Sequence, residues 1–316
     1  HGVSSNSRLV NFTLSGYTKG SAQPKVSVST TLNAINAAMV DDSSTMMAPS
    51  QTIAYRTDDI PDPDKINVAI TLVLDTSGSM ADKMGGTGPG KDEIRMPIMK
   101  EKAKELIDLF SEMSNVYISL IPFNTNANNP RPFVKAETNL VDLKNRVDGY
   151  VANGGTNAGD GLRRSYFRHQ DFNNSQSDQV LNYTILLMDG NPTFWPSQNG
   201  SSHYYGTDDI SSTFSVLGGN GSTTIEGSMN YIKEFSNRFI LKNDHTQKVF
   251  MKTFVIGFTG IPEEVERAEE IATYHTHISD NRIKGMYYSA TSSEELKEVF
   301  ASIADYILHE TWHIYG

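Results

Sequence analysis

The sequence of 316 residues contains no cysteine. This absence excludes a disulfide framework, a zinc–thiolate site and a cysteine nucleophile. It does not assign a compartment, because disulfide-free proteins occur both in the cytosol and outside the cell. The sequence also lacks a run of 18 apolar residues that could cross a bilayer.

Basic residues are in the minority, with 27 Lys and Arg against 37 Asp and Glu, a formal net charge of −10. This balance argues against a nucleic acid or an anionic membrane surface as the main partner and is compatible with cation binding. A hydrophobic fraction of 38% with 14 Phe and 14 Tyr is typical of a folded chain, and the length suggests one large or two unequal domains. Because the chain begins at His1, we expect a processed or cloned piece from which an upstream signal or anchor could have been removed.

The amino-terminal region has the pattern of a small β-rich module. Short β-branched segments at residues 8–17, 24–32 and 51–55 are separated by Gly, Ser and Asp clusters. Two prolines among four aspartates in residues 58–64 favour an extended connector. We therefore predict an accessory module over residues 1–62.

Buried strands then alternate with amphipathic helices. Strands are predicted at residues 66–74, 116–123, 183–188 and 249–258, with a short last strand around Tyr287 and Tyr288. Helices are predicted at residues 97–113, 140–147, 159–169, 263–273 and from Ser292 onward. This order predicts an α/β domain over residues 63–308 with an open, doubly wound, mostly parallel sheet.

Two insertions interrupt the alternation. Residues 82–92 are glycine-rich, and residues 194–227 are long and polar, with aromatic residues spaced through them. Trp195, Tyr204 and Tyr205 follow closely after a polar strand end, so they are candidates for a ligand-contacting surface. The alternative is that they pack the insertion onto the domain.

Hard oxygen ligands are predicted to converge at one edge of the sheet. Asp75, Ser77 and Ser79 leave the first buried strand at alternate positions, Asp189 leaves a later strand, and Thr156 lies in a glycine-rich loop between them. Ligands bind at the carboxyl ends of strands in open α/β sheets. Such an oxygen set suits Mg²⁺ or Mn²⁺, with Ca²⁺ as a further candidate. A carboxylate from a partner protein could supply a missing anionic oxygen.

The segments LVLDTSGSM, NGGTNAGDGL and LLMDGNPT resemble the metal-ion-dependent adhesion site of von Willebrand factor A domains, and the resemblance covers about residues 65–308. It implies a Rossmann-like fold and metal ligation by Asp75, Ser77, Ser79, Thr156 and Asp189. It also implies a non-enzymatic module that binds a partner's Asp or Glu carboxylate through a Mg²⁺ or Mn²⁺ ion.

A narrower resemblance concerns the flanks. The segments KVSVSTTLNAINAAM and SATSSEELKEVFASIADYI are similar to TadG-like proteins of bacterial tight-adherence (Flp) pilus systems, and a pilus adhesin with an A domain would look much the same. This implies an extracellular or cell-surface protein, or a periplasmic one held by a membrane anchor outside this sequence. Its partner would be a host or matrix protein or a pilus component. An intracellular A domain acting as an assembly or chelatase-type adaptor is the alternative.

A competing motif lies at the carboxyl end. His309, Glu310 and His313 match H-E-x-x-H, the pattern of a zinc metalloprotease helix. A third ligand would have to come from elsewhere, such as His275 or His277. The other interpretation, which we favour, is a strand over residues 309–316 that joins the amino-terminal module, and a strand would hold the two histidines too far apart for one metal.

Overall fold

The computed structural model describes residues 9–16, 26–33, 66–85, 91–113, 115–127, 130–198, 202–206, 216–221, 223–242 and 249–313. The chain divides into two units, residues 1–59 and residues 60–316.

The first unit contains an antiparallel strand pair. Strand β1 (Leu9–Gly16) pairs with β2 (Val26–Asn33), in a register that sets Leu9 opposite Asn33 and Gly16 opposite Val26. The two strands match the predictions at residues 8–17 and 24–32. The strand predicted at residues 51–55 lies outside the described residues.

The second unit is built on a six-stranded sheet of order β10-β9-β6-β3-β4-β5. Its strands are β3 (Ile66–Asp75), β4 (Val116–Phe123), β5 (Val134–Lys135), β6 (Gln179–Met188), β9 (Met251–Gly257) and β10 (Lys284–Ser289). All neighbours pair in parallel except β4 and the short edge strand β5, which are antiparallel. The predicted mostly parallel α/β sheet is confirmed.

In the part of the chain that the structure describes, six α-helices accompany the strands: α1 (Arg95–Ser111), α2 (Ala136–Asp148), α3 (Ala158–Ser175), α4 (Ile225–Phe235), α5 (Pro262–Tyr274) and α6 (Ser293–His313). The cap predicted for the last helix forms, since the Glu295 backbone amide donates to Ser292 Oγ at 3.2 Å. None of the described helices is both long enough and apolar enough to cross a membrane.

The helices form two layers because successive side chains of a strand point to opposite faces. On one face, Val68, Ile70, Leu72 and Leu74 of β3 pack in a core with α1, α2 and α6. On the other face, Val73 packs in a core with α3, α4 and α5. The sheet is therefore doubly wound, and every residue of β3 is buried.

One local prediction is wrong. Residues 309–313 belong to α6, not to a strand, because buried residues continue at helical spacing through Ile303 and Ile307 to Thr311, whose hydroxyl donates to Ile307 O at 2.7 Å. The insertion 194–227 contains the antiparallel pair β7 (Phe194–Ser197) and β8 (Val216–Gly219) and the start of α4.

A buried polar network joins α3 to the sheet. Ser165 Oγ lies 2.6 Å from Thr71 Oγ1 and 2.7 Å from Thr184 Oγ1. His169 contributes both ring nitrogens, with Nε2 at 3.3 Å from Thr71 Oγ1 and Nδ1 at 3.0 Å from Asn182 Oδ1. Since buried polar groups are costly without partners, this network fixes α3 against β3 and β6.

We predict that His169 makes the fold sensitive to acid. Burial lowers the pKa of His169 to about 3, below the ordinary value of 6.5, so the folded state holds this imidazole neutral. Its stabilising contribution is complete above pH 6.5 and is lost as the pH falls toward 3, by up to about 1.4 kcal/mol per pH unit. Urea unfolding between pH 4 and 7 should show that the free energy of unfolding falls less steeply with falling pH in His169→Gln than in the unsubstituted chain. An identical pH dependence of the two proteins would contradict this.

Candidate metal centre

The pairing of β3 with β6 places the two aspartates of the site side by side. Asp75 is the last residue of β3, and Asp189 directly follows β6. Leu74 and Leu187 are register partners, so the two strands end at the same level. The Asp189 amide accordingly donates to Asp75 Oδ2 at 3.4 Å, and both aspartates are fully buried.

The two serines turn back onto these aspartates. The Ser77 amide donates to Asp75 Oδ1 at 2.7 Å, and a 3₁₀ turn at Gly78–Ala81 carries Ser79. Ser79 Oγ donates to Asp189 Oδ1 at 2.8 Å and lies 3.0 Å from Ser77 Oγ. Four of the five predicted ligands therefore form one hydrogen-bonded cluster.

Thr156 is placed between the same loops by main-chain bonds. Gly78 donates to Gly154 O at 3.0 Å, and Thr193 donates to Thr156 O at 2.8 Å. Gly154 has φ +73°, and a Cβ there would lie 2.7 Å from Thr125 Oγ1, so this close turn requires glycine. Thr156 is only 7% exposed. All five predicted residues thus lie on three loops that are bonded to one another.

Burial makes the cluster electrostatically unfavourable on its own. Burial, and next the charge of Asp189, raises the pKa of Asp75 well above its usual range. Burial also raises the pKa of Asp189, although the nearby Arg95 opposes this. Two buried carboxyl groups in contact gain most from a positive charge placed between them.

Arg95 supplies part of that charge, and the sequence pattern did not point to it. It is the first residue of α1 and is 4% exposed. Its Nη1 donates to Asp189 Oδ2 at 3.2 Å and to Ser79 O at 3.3 Å, while Nη2 donates to Met84 O at 3.0 Å. Arg95 therefore ties Asp189 to the loop that carries the serines.

The donor set fits a hard divalent cation. Every predicted ligand atom is a carboxylate or hydroxyl oxygen, as Mg²⁺ and Mn²⁺ prefer. Gly190 lies against the cluster, because a Cβ at this position would be in van der Waals contact with Ser79 Oγ at 3.8 Å. Among the described residues, no three His, Cys, Asp or Glu side chains are grouped closely enough to hold an ion together. The carboxylates predicted as ligands here are the two aspartates.

The aromatic candidates lie in the second insertion and pack it onto the domain. Trp195 is 9% exposed, and Tyr204 lies beside Arg163, whose guanidinium is 5.6 Å from the ring centroid. Tyr205 stacks on Tyr231 of α4 at 5.2 Å between ring centroids. The burial of Trp195 and the ring contacts of the two tyrosines show that these side chains pack the insertion against the domain. Their contact with a ligand stays a prediction.

The H-E-x-x-H motif does not assemble a zinc site among the described residues. Glu310 forms an ion pair with Lys252 and accepts a hydrogen bond from the Tyr183 hydroxyl at 2.9 Å. His275 is fully buried with its Nδ1 at 3.0 Å from Thr253 Oγ1. Glu310 thus links α6 to the sheet, which is a structural use of the residue.

Asp160, a second residue that the sequence pattern did not single out, stabilises the loop that carries Thr156. Asp160 is fully buried at the start of α3, where its amide donates to Asn157 Oδ1 at 3.0 Å. Its carboxylate accepts from the Ala127 amide at 2.8 Å and pairs with Arg163 and Arg164 at 2.8 and 3.4 Å. Asp160 therefore fixes the end of the loop that carries Thr156.

Comparison with known proteins supports the resemblance to von Willebrand factor A domains. The family model for the von Willebrand factor type A domain matches residues 69–211. The PilB minor pilin from Streptococcus sanguinis is a similar solved structure, with 27% identity and a TM-score of 0.63 over 83% of this chain and 66% of that chain. The chain thus spans just under two thirds of that structure. A search of the curated proteins finds no match.

Two further structures share the fold. A point mutant of PilB gives 23% identity and a TM-score of 0.65 over 98% of this chain and 76% of that chain. The pilus adhesin SpaC from Lactobacillus rhamnosus GG gives 16% identity and a TM-score of 0.50 over 78% of this chain and 31% of that chain. The predicted resemblance to A domains of pilus proteins is confirmed.

We predict that Asp160→Asn destabilises the fold. Removing one partner of a buried ion pair typically costs about 3–5 kcal/mol, and two arginines share this carboxylate. Urea unfolding should show a loss of about that size. Asp171→Asn, at an exposed position of the same helix, is the matched control and should change stability by less than about 0.5 kcal/mol. Equal effects of the two substitutions would contradict the role given to Asp160.

Proposed function

We propose that this chain, whose residues 69–211 match the family model for the von Willebrand factor type A domain, is a metal-dependent protein-binding module of a bacterial cell surface or pilus. The observation that carries the proposal is the buried oxygen cluster of Asp75, Ser77, Ser79 and Asp189, with Thr156 on the adjoining loop. Such a site binds a cation and leaves it accessible to a ligand at the carboxyl edge of the sheet.

The roles of the residues follow from their chemistry. Asp75 and Asp189 would supply negative charge to Mg²⁺ or Mn²⁺, and the hydroxyls of Ser77, Ser79 and Thr156 would supply neutral oxygens. An ion held by these residues would offer a Lewis-acidic position for a carboxylate oxygen. The partner would be a protein with an exposed Asp or Glu, so the module acts by binding and not by catalysis.

The similarity to PilB, described as a minor pilin, supports a place on the cell surface or in a pilus. A host or matrix protein, or another pilus component, is the class of partner that such a place would offer. The acidic balance of the chain supports cation binding in general, since a negative protein raises the local concentration of cations.

Cation titration tests the site. The unsubstituted chain should bind Mg²⁺ or Mn²⁺ by calorimetry, and Asp75→Ala should weaken that binding by about a hundredfold because a direct anionic contact is lost. Chelator should lower the melting temperature of the unsubstituted chain but not of Asp75→Ala, since a ligand at 100 times its Kd stabilises by about 2.7 kcal/mol. Asp171→Ala, exposed and distant in the chain, is the control. Equal affinities for all three proteins would show that the assigned site is wrong.

Adhesion tests the function. Beads coated with the chain should be retained on a panel of extracellular matrix proteins or on purified pilus shafts in Mg²⁺. Retention should fall to background in chelator and with Asp75→Ala, because the partner carboxylate needs the ion. Retention that is undiminished in chelator would overturn the metal-dependent mechanism.

A further inference from the structure

A fourth loop reaches the metal centre from β9. Gly260 in this loop (residues 258–261) donates its amide to Met84 O at 3.4 Å. Thr259 Oγ1 accepts from the Ile261 amide at 3.1 Å and donates to Glu264 Oε2 at 2.5 Å. The first turn of α5, which carries Glu264, is therefore held at the same edge of the sheet as Asp75 and Asp189.

The other carboxylate oxygen of Glu264 lies beside the cluster. A Cβ built on Gly190 would stand 3.6 Å from Glu264 Oε1 and 3.8 Å from Ser79 Oγ, so both oxygens lie within van der Waals reach of the same point beside Gly190. Burial raises the pKa of Glu264; the Thr259 hydrogen bond and Arg95 oppose the shift, while the charge of Asp189 adds to it. Glu264 Oε1 therefore lies on the side of the cluster that Ser79 Oγ faces.

Arg95 changes the charge balance of the centre. Its guanidinium is buried against Asp189, and its Nε has no hydrogen-bond partner among the described residues. With Asp75 and Asp189 alone, Arg95 leaves one net negative charge. Ionised Glu264 brings the four side chains to two negative charges, which one divalent cation balances.

We propose that Glu264 is a further residue of the cation site, whose charge offsets that of Arg95 and raises the affinity for a divalent cation. Among the described residues Glu264 is not close enough to the two aspartates for the three carboxylates to hold one ion together, so it acts through its charge from its position beside Gly190. This inference rests on the proposed metal site. It also predicts a trade-off, because an ion that Glu264 has already neutralised attracts a partner carboxylate less strongly.

The experiment compares Glu264→Gln with Glu263→Gln, an exposed neighbour in the same helical turn. Mn²⁺ affinity is measured by calorimetry, and acetate serves as the carboxylate probe, detected by relaxation of its protons near bound Mn²⁺. Glu264→Gln should weaken Mn²⁺ binding about tenfold and, at saturating Mn²⁺, tighten acetate binding. Glu263→Gln should change Mn²⁺ affinity by less than about twofold, since an exposed charge is screened.

The outcomes separate this inference from the proposed function. If the unsubstituted chain binds no cation, the metal site itself is wrong. If it binds and the two variants behave alike, only the role of Glu264 is overturned. Weaker binding of both Mn²⁺ and acetate by Glu264→Gln would indicate structural damage and would also overturn it. The melting temperature in chelator checks that the variant is folded. Under this condition Glu264→Gln should melt at a temperature no lower than that of the unsubstituted chain.

Discussion

The parallel pairing of β3 with β6 is the constraint on which the candidate site depends. It ends two buried strands at one level and so brings Asp75 and Asp189 into contact. The energy for holding two carboxyl groups together comes from the surrounding core, since β3 is buried along its full length. The aspartates are adjacent because the two strands are adjacent, and Arg95 places a positive charge beside this pair of carboxyl groups.

Much of the sheet was predictable because parallel strands covered on both faces are continuous apolar runs, as residues 66–74 and 116–123 are. The helical end of α6 was not predicted from the sequence. Polar and apolar residues alternate from Thr311 to Tyr315, which is the pattern expected of a strand. Helix α4 was hidden by the Ser, Gly and Asn residues around it. Local composition describes such segments poorly when tertiary contacts decide their structure.

The candidate ligands could be proposed from sequence because each follows a strand or occupies a glycine-rich loop. Arg95 and Glu264 could not, since their relation to Asp189 depends on how α1 and α5 enter the same edge. Charged residues are common in the first turn of a helix, so the sequence alone did not distinguish these two residues from others. Only the three-dimensional arrangement places both residues beside the oxygen cluster.

The loops of the centre are joined largely through main-chain bonds: Gly78 to Gly154, Thr193 to Thr156 and Gly260 to Met84. Main-chain bonds do not depend on which side chain a residue carries. Substitutions in the exposed rim, including Val151 and Ile261, therefore leave the oxygen cluster beneath it undisturbed. The surface around the cluster could in this way diversify over evolution while the buried arrangement of the loops is inherited.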